Sequence, residues 1–189
     1  MQKPTWWDET TAIKGGGERL PAGGYPCTII GGAVTQSRKG KEMLVLWVDV
    51  SEGEYAGLFV RQYKQRKQSD ADAKYPAGGT YYQLTGLDGE PNNTQAGRFK
   101  GLVEIFKASN PGWDWNFDVA SLKGLMFGGV FREEEYESSY DGTIKTTTKL
   151  AYINELEGIE DVPVPPKKEL DRKEYGSGNT YVDDETIPF

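Results

Sequence analysis

The chain has 189 residues, enough for one ordinary domain with a tail, and a formal net charge of −7. Its 24 glycines, 10 prolines and 12% aromatic residues favour a β-rich protein with many tight turns over a helical bundle. It has no histidine and a single cysteine, which excludes an internal disulfide and a cysteine-cluster metal site and removes the most common general base. We therefore expect a non-enzymatic protein that needs neither a metal nor a cofactor.

The acidic residues are concentrated near the C-terminal end. Residues 1–154 contain 18 basic and 19 acidic side chains, whereas residues 155–189 contain 4 basic and 10 acidic ones. This division predicts two parts with different roles. No apolar stretch is long enough to cross a bilayer and no signal-peptide pattern opens the chain, so we expect a cytoplasmic protein without membrane contact.

The first half of the chain reads as an arm followed by three strands. Residues 1–24 are rich in glycine and predict a loosely ordered arm, whose Trp6–Trp7 pair would pack back on the domain. Strand patterns follow at residues 26–35, 42–50 and 58–63, with Cys27 buried in the first. In the second strand the aliphatic side is predicted to face the core and the other side to face outwards. These two sets are Leu44, Leu46, Val48 and Val50, and Met43, Val45, Trp47 and Asp49.

The second half predicts one helix and a hairpin. Residues 64–79 lack a regular pattern and predict a long binding loop, and residues 81–84 form a candidate short strand. Apolar residues at helical spacing predict a helix at 97–109. Strands at 125–135 and 143–152 would be joined through Asp141-Gly142, a strong hairpin turn.

Three strands, a helix and a two-stranded hairpin are the element order of an OB-fold, a five-stranded Greek-key barrel. The predicted fold is therefore all-β with one helix. We expect an N-terminal arm at 1–24, an OB-fold domain at 25–155 and a flexible acidic tail at 156–189, where apolar residues are too few to offset the entropy of ordering the chain.

Two basic clusters point to a polyanionic ligand. Arg61, Lys64, Arg66 and Lys67 are predicted to run from the third strand into the long loop, and Arg38, Lys39 and Lys41 lie in the loop between the first two strands. Loops of this kind flank the binding face of an OB-fold. The alternative interpretation is a solvated strand edge that is kept from aggregating by its cations.

Aromatic residues near these clusters are candidates for stacking on bases, namely Trp47, Tyr63, Tyr81 and Tyr82. Cationic loops beside an aromatic-bearing sheet would bind a phosphate backbone while the bases stack on rings. This combination suits single-stranded nucleic acid, since a duplex hides its base faces. For each ring, packing within the protein is the alternative. Trp113 and Trp115 are predicted to be structural and to plug the end of the barrel beside the helix.

The final residues Asp183, Asp184, Glu185, Thr186, Ile187, Pro188 and Phe189 closely resemble the acidic tip of bacterial and phage single-stranded DNA-binding proteins. A Glu-Thr pair here replaces the last acid of the usual Asp-Asp-Asp-Ile-Pro-Phe. In that family the tip binds replication, recombination and repair proteins, with the final phenylalanine in an apolar pocket. The resemblance implies partner binding through Asp183, Asp184, Glu185, Ile187, Pro188 and Phe189.

Stretches such as Gly23-Gly-Tyr-Pro-Cys27 and Glu54-Tyr-Ala-Gly57 are similar to a phage-encoded branch of this group, over about residues 20–155. The resemblance implies a sequence-independent DNA-binding protein of phage replication or recombination, acting in the bacterial cytoplasm and able to form homo-oligomers. Three alternatives remain open. They are an RNA-binding or recombination-mediator module, a structural or assembly protein with a solubilising tail, and a metal-dependent nuclease using Glu133, Glu135 and Glu137.

Overall fold

The computed structural model describes residues 4–5, 18–91 and 93–171. These residues form five strands and two α-helices, in the order β1 (Gly23–Gln36), β2 (Glu42–Val50), α1 (Leu58–Ser69), β3 (Thr80–Leu84), α2 (Thr94–Ser109), β4 (Met126–Glu137) and β5 (Ile144–Asn154). Short 3-10 turns lie at 77–79, 119–122 and 159–161. The prediction of a mainly β protein is confirmed, although the part of the chain that is described has two α-helices where one was expected. The Trp6–Trp7 pair and residues 172–189 lie outside the described ranges.

The five strands form one antiparallel sheet in the order β3-β2-β1-β4-β5. Strand β1 is long enough to pair with β2 along its second half and with β4 along its first half. A register shift between Ile29 and Gly31 lies just after Cys27 and Thr28, the residues that pair with both neighbours. The hairpin predicted at Asp141-Gly142 is confirmed, and Gly142 adopts the left-handed conformation that such turns favour, with φ of 66°.

The core lies on one side of this sheet. Leu44, Leu46, Val48 and Val50 all belong to the main apolar cluster, so the predicted core side of β2 is confirmed. Helix α2 adds Phe99, Leu102 and Phe106, and β4 adds Phe127 and Phe131. Cys27 is fully buried, as predicted, and burial raises the pKa of its thiol well above the ordinary value. None of the described residues belongs to a helix that is long and apolar enough to cross a membrane.

The prediction of a strand at 58–63 is wrong, because these residues open helix α1. The helix begins after Gly57, whose φ of 73° suits glycine and whose missing side chain cannot cap the first turn. Asp49 of β2 takes over that role: its carboxylate accepts the backbone N–H groups of Phe59 at 2.9 Å and Val60 at 2.8 Å. Asp49, predicted on the outer side of β2, is therefore fully buried under the helix.

The polypeptide after β5 continues to pack on the sheet, beyond the predicted domain end at residue 155. Ile159 is buried and lies so close to Gly24 and Gly128 that a Cβ atom on either glycine would clash with this segment. The Tyr152 hydroxyl donates to the Pro163 carbonyl at 2.8 Å, and Lys168 pairs with Glu134 in a parallel bridge. Residues 159–168 therefore pack against the sheet, within the segment whose composition predicted a flexible tail.

Candidate nucleic-acid interface

The strand register brings Trp47 and Tyr82 to the same side of the sheet. Trp47 is paired with Gly31 of β1 and Thr80 of β3, and Val45 is paired with Ala33 and Tyr82. Directly paired residues of antiparallel strands share a face. We call the surface formed by Gly31, Ala33, Val45, Trp47 and Tyr82 the outer face. It lies opposite the core side that carries Leu44, Leu46 and Val48.

The two rings of the outer face are accessible to different degrees. Tyr82 is 47% exposed, and Trp47 is half-buried because its ring lies over Gly31. A Cβ atom at Gly31 would come within 3.3 Å of Trp47 Cε3, so glycine allows the indole to lie close to the strand. Diagonal neighbours on adjacent strands are about 7–8 Å apart, which lets two successive bases stack on the two rings.

The other two aromatic candidates do not join this surface. Tyr81 points to the core side, and burial raises the pKa of its hydroxyl to about 12. Tyr63 packs against Tyr75 with ring centroids 5.4 Å apart, and the Lys67 ammonium lies 5.7 Å from the centre of the Tyr63 ring. These two rings therefore contribute to packing, which was the alternative interpretation for each.

The β1–β2 loop places Arg38, Lys39 and Lys41 at one end of the outer face. The loop is tight, because the Ser37 N–H donates to the Lys41 carbonyl at 2.8 Å and the Gly40 N–H donates to the Ser37 carbonyl at 2.9 Å. All three cationic residues are exposed. They lie where β1 ends and β2 begins, beside the Thr35–Met43 pair that continues the outer face.

Helix α1 begins at the opposite end of the outer face. Asp49, which caps the helix, is two residues beyond Trp47 on β2 and shares its side of the strand. Arg61, Lys64 and Lys67 follow at three-residue steps, within about 120° of one another around the helix axis. The second basic cluster thus lies on a helix and not on the predicted strand and loop. Arg61 is bound to Glu18 at 3.0 Å, whereas Lys64 is exposed.

Arg66 lies on the other side of α1, in a groove that the sequence did not reveal. The groove separates α1 from the β4–β5 hairpin and has a cavity volume of about 580 Å³. Its lining includes Arg19, Gln65, Arg66, Tyr136, Thr147 and Lys149. These residues come from four distant parts of the sequence, and only Arg66 among them was predicted to bind a ligand.

Three of the four acidic residues of β4 form ion pairs with nearby cations. Glu133 binds Arg19 at 2.5 Å, and Glu135 binds Lys167 at 2.7 Å. Glu134 lies between Arg132 and Lys149; burial raises the pKa of its carboxyl, but these cations outweigh burial and hold that pKa below the ordinary value. Among the residues that the structure describes, no group of three acidic, histidine or cysteine side chains could hold a metal ion.

The loop after α2 is held to the core by its tryptophans. Trp113 contacts Phe106 edge to face at 6.5 Å between ring centroids, and Trp115 contacts Phe99 in the same way at 5.3 Å. Their predicted structural role beside the helix agrees with these contacts. Phe117 stacks on Trp115 at 4.7 Å, is 68% exposed and has a φ of 63°, a strained value for a residue with a side chain.

The partner-binding residues predicted at 183–189 lie outside the described residues. No model of a known protein family and no curated protein matches this chain.

Proposed function

We propose that this protein binds single-stranded DNA without sequence preference, along the outer face, and does no chemistry on it. The observation that carries the proposal is the location of Trp47 and Tyr82 on one face, with a cationic loop at one end and a cationic helix at the other. Rings that stack on bases of any sequence, together with cations along the path of the backbone, are the typical elements of sequence-tolerant single-strand binding.

We further propose that the sheet is an OB-fold barrel. The order β3-β2-β1-β4-β5 is the order of an OB barrel opened between its third and fifth strands, and β3 and β5 approach each other here. Helix α2 lies between the third and fourth strands, as it does in that fold, and α1 is an insertion between the second and third. Oligonucleotides bind OB-folds across the second and third strands, which here carry Trp47 and Tyr82.

The resemblance of the C-terminal end suggests a second role. We propose that residues 183–189 recruit replication or recombination proteins of a phage-infected bacterium, with Phe189 as the apolar anchor. A tail tethered to a DNA-bound domain raises the local concentration of its partners at the exposed strand.

Binding to labelled oligo-dT at several salt concentrations tests the DNA-binding proposal. We expect the affinity to fall by about 10- to 100-fold between low and physiological salt, because each phosphate contact releases counterions. An equally long duplex should bind far more weakly, since its base faces are hidden. Oligo-U of the same length separates this proposal from an RNA-binding module. Salt-independent binding, or equal affinity for the duplex, would contradict the proposal.

Deletion of residues 181–189 is expected to separate the two roles. Affinity for oligo-dT should stay unchanged or rise, because an acidic tail competes with DNA for the same cations. Pull-down of host replication proteins should be lost, and Phe189→Ala should reproduce that loss with a single side chain. A truncated protein that no longer binds oligo-dT would show that the two roles cannot be assigned in this way.

A further inference from the structure

The groove between α1 and the β4–β5 hairpin is lined by charged, polar and apolar residues. Arg19, Arg66 and Lys149 supply three cations, Glu18 supplies one acid, and Gln65 and Thr147 supply neutral polar groups. Its volume of about 580 Å³ lies within the range of roughly 300–1,000 Å³ that small-molecule sites occupy. An apolar ligand would cover the Arg66 guanidinium and the Gln65 amide without offering either a hydrogen-bond partner, so the groove favours a polar, anionic ligand.

The position of each cation is fixed to a different degree. Arg19 is held in place, since its Nε donates to Thr148 Oγ1 at 3.1 Å and its guanidinium binds Glu133. Lys149 is held by Glu134 at 3.2 Å. Arg66 is exposed, and none of the described acidic residues forms an ion pair with it. Arg66 is therefore the cation most available to an incoming phosphate.

Tyr136 gives the groove an aromatic surface. It lies on β4 opposite Lys145, lines the groove and is 40% exposed, so part of its side chain is accessible to a ligand. An exposed ring and an arginine without an acidic partner thus line the same groove, the combination of ring and cation that is also found on the outer face.

The turn that precedes β3 lies between the groove and the outer face. Pro76, Ala77 and Gly78 line the groove, and Thr80, two residues further on, is the partner of Trp47. Helix α1 spans the same interval, with Lys64 and Lys67 on its exposed side and Arg66 on the groove side. A strand that leaves the outer face over α1 therefore passes Lys64 and Lys67 before it reaches Arg66.

We propose that this groove is a second binding segment for single-stranded DNA, in which Arg66 contacts a phosphate and Tyr136 stacks on a base. The inference rests on the proposed function and extends it, because it predicts a bound length greater than the outer face alone can cover. The amide of Gln65 can donate to or accept from any base edge, which keeps the segment tolerant of sequence.

The test uses the full chain with Arg66→Glu and Tyr136→Ala combined, and oligo-dT of about 8 and about 24 nucleotides. We expect the long oligonucleotide to lose about 10-fold or more in affinity and the short one to change little. The matched control combines Lys123→Glu and Tyr140→Ala, which make the same chemical changes at exposed positions outside the groove, and should bind both lengths as the wild type does.

The outcomes distinguish the groove from the outer face. A wild type that binds both lengths and a groove variant that is unaffected at either length would overturn the groove and leave the proposed function standing. A wild type that binds neither length would overturn both. A third outcome would assign the groove to the acidic segment instead. In that case a free peptide of residues 172–189 would bind the wild type but not Arg66→Glu, whereas long oligo-dT would bind both proteins equally well.

Discussion

Replacement of Trp47 and Tyr82 by alanine is expected to reduce affinity for oligo-dT on the order of 100-fold. Each stacked base contributes about 1–3 kcal/mol, and these are the two rings that the strand register brings to the outer face. The salt dependence of binding should change little, because the phosphate contacts of the flanking cations remain. Equilibrium titration of the double variant and of Tyr82→Ala alone measures both effects.

The adjacent residue supplies the control. Tyr81→Phe removes only a hydroxyl, on the core side of the same strand, and should leave affinity unchanged. Because Tyr82 is 47% exposed, Tyr82→Ala should fold normally. Any loss of affinity in this variant would then reflect lost stacking and not a change in the fold. Wild-type affinity in the double variant would show that bases do not stack on this face.

Asp49→Ala is expected to destabilise the protein by about 3 kcal/mol. The substitution leaves the N–H groups of Phe59 and Val60 without their acceptor, at a buried helix start that has no other side-chain cap. A buried donor without a partner costs about 1–3 kcal/mol, and loss of a helix cap costs about 0.5–2 kcal/mol. The midpoint of urea unfolding measures the change.

Two comparisons make this prediction specific. Asp49→Asn keeps one acceptor oxygen and should therefore be less destabilising than Asp49→Ala. Asp88→Ala removes an exposed carboxylate that accepts one N–H, from Glu42 at 3.2 Å, and should change the free energy of unfolding little. Hydrogen exchange at Phe59 and Val60 should accelerate in Asp49→Ala. An Asp49→Ala protein as stable as the wild type would mean that α1 does not depend on this cap.

The pKa of the Asp49 carboxyl is raised, because the effect of burial outweighs the opposite effect of the three backbone N–H groups that donate to it. The folded state therefore holds this proton to a higher pH than the unfolded chain does. Between the ordinary pKa and the raised one, stability falls as the pH rises, because ionisation inside the protein is less favourable than in water.

Local pattern was sufficient to predict the strands that build the outer face. Strand β2 occupies the predicted residues, and its alternation placed Leu44, Leu46 and Val48 on the core side and Trp47 on the other. The hairpin followed from one turn dipeptide at Asp141-Gly142. In these segments the structure is determined by residues that are close in sequence, so the alternation of apolar residues and the turn residues were enough to predict it.

Helix α1 was missed because its start depends on a residue ten positions upstream of Phe59. No side chain at Gly57 marks a cap, and the apolar and aromatic residues at 58–63 resemble a strand. Leu58 and Phe59 are buried, and Gln62 and Tyr63 lie four residues later on the same side of the helix. This spacing of four residues is typical of a helix and could have been recognised in the sequence. The groove was not predictable, since Arg19, Arg66 and Lys149 meet only in the folded chain.

The most direct test of the central claim is the tryptophan emission of the wild type and of Trp47→Phe during titration with oligo-dT at low ionic strength. If the strand lies along the outer face, oligo-dT quenches the wild-type emission, and Trp47→Phe binds with most of that quenching lost. The claim that this face binds single-stranded DNA would be contradicted if saturating oligo-dT left the emission of both proteins unchanged and an independent assay detected no binding.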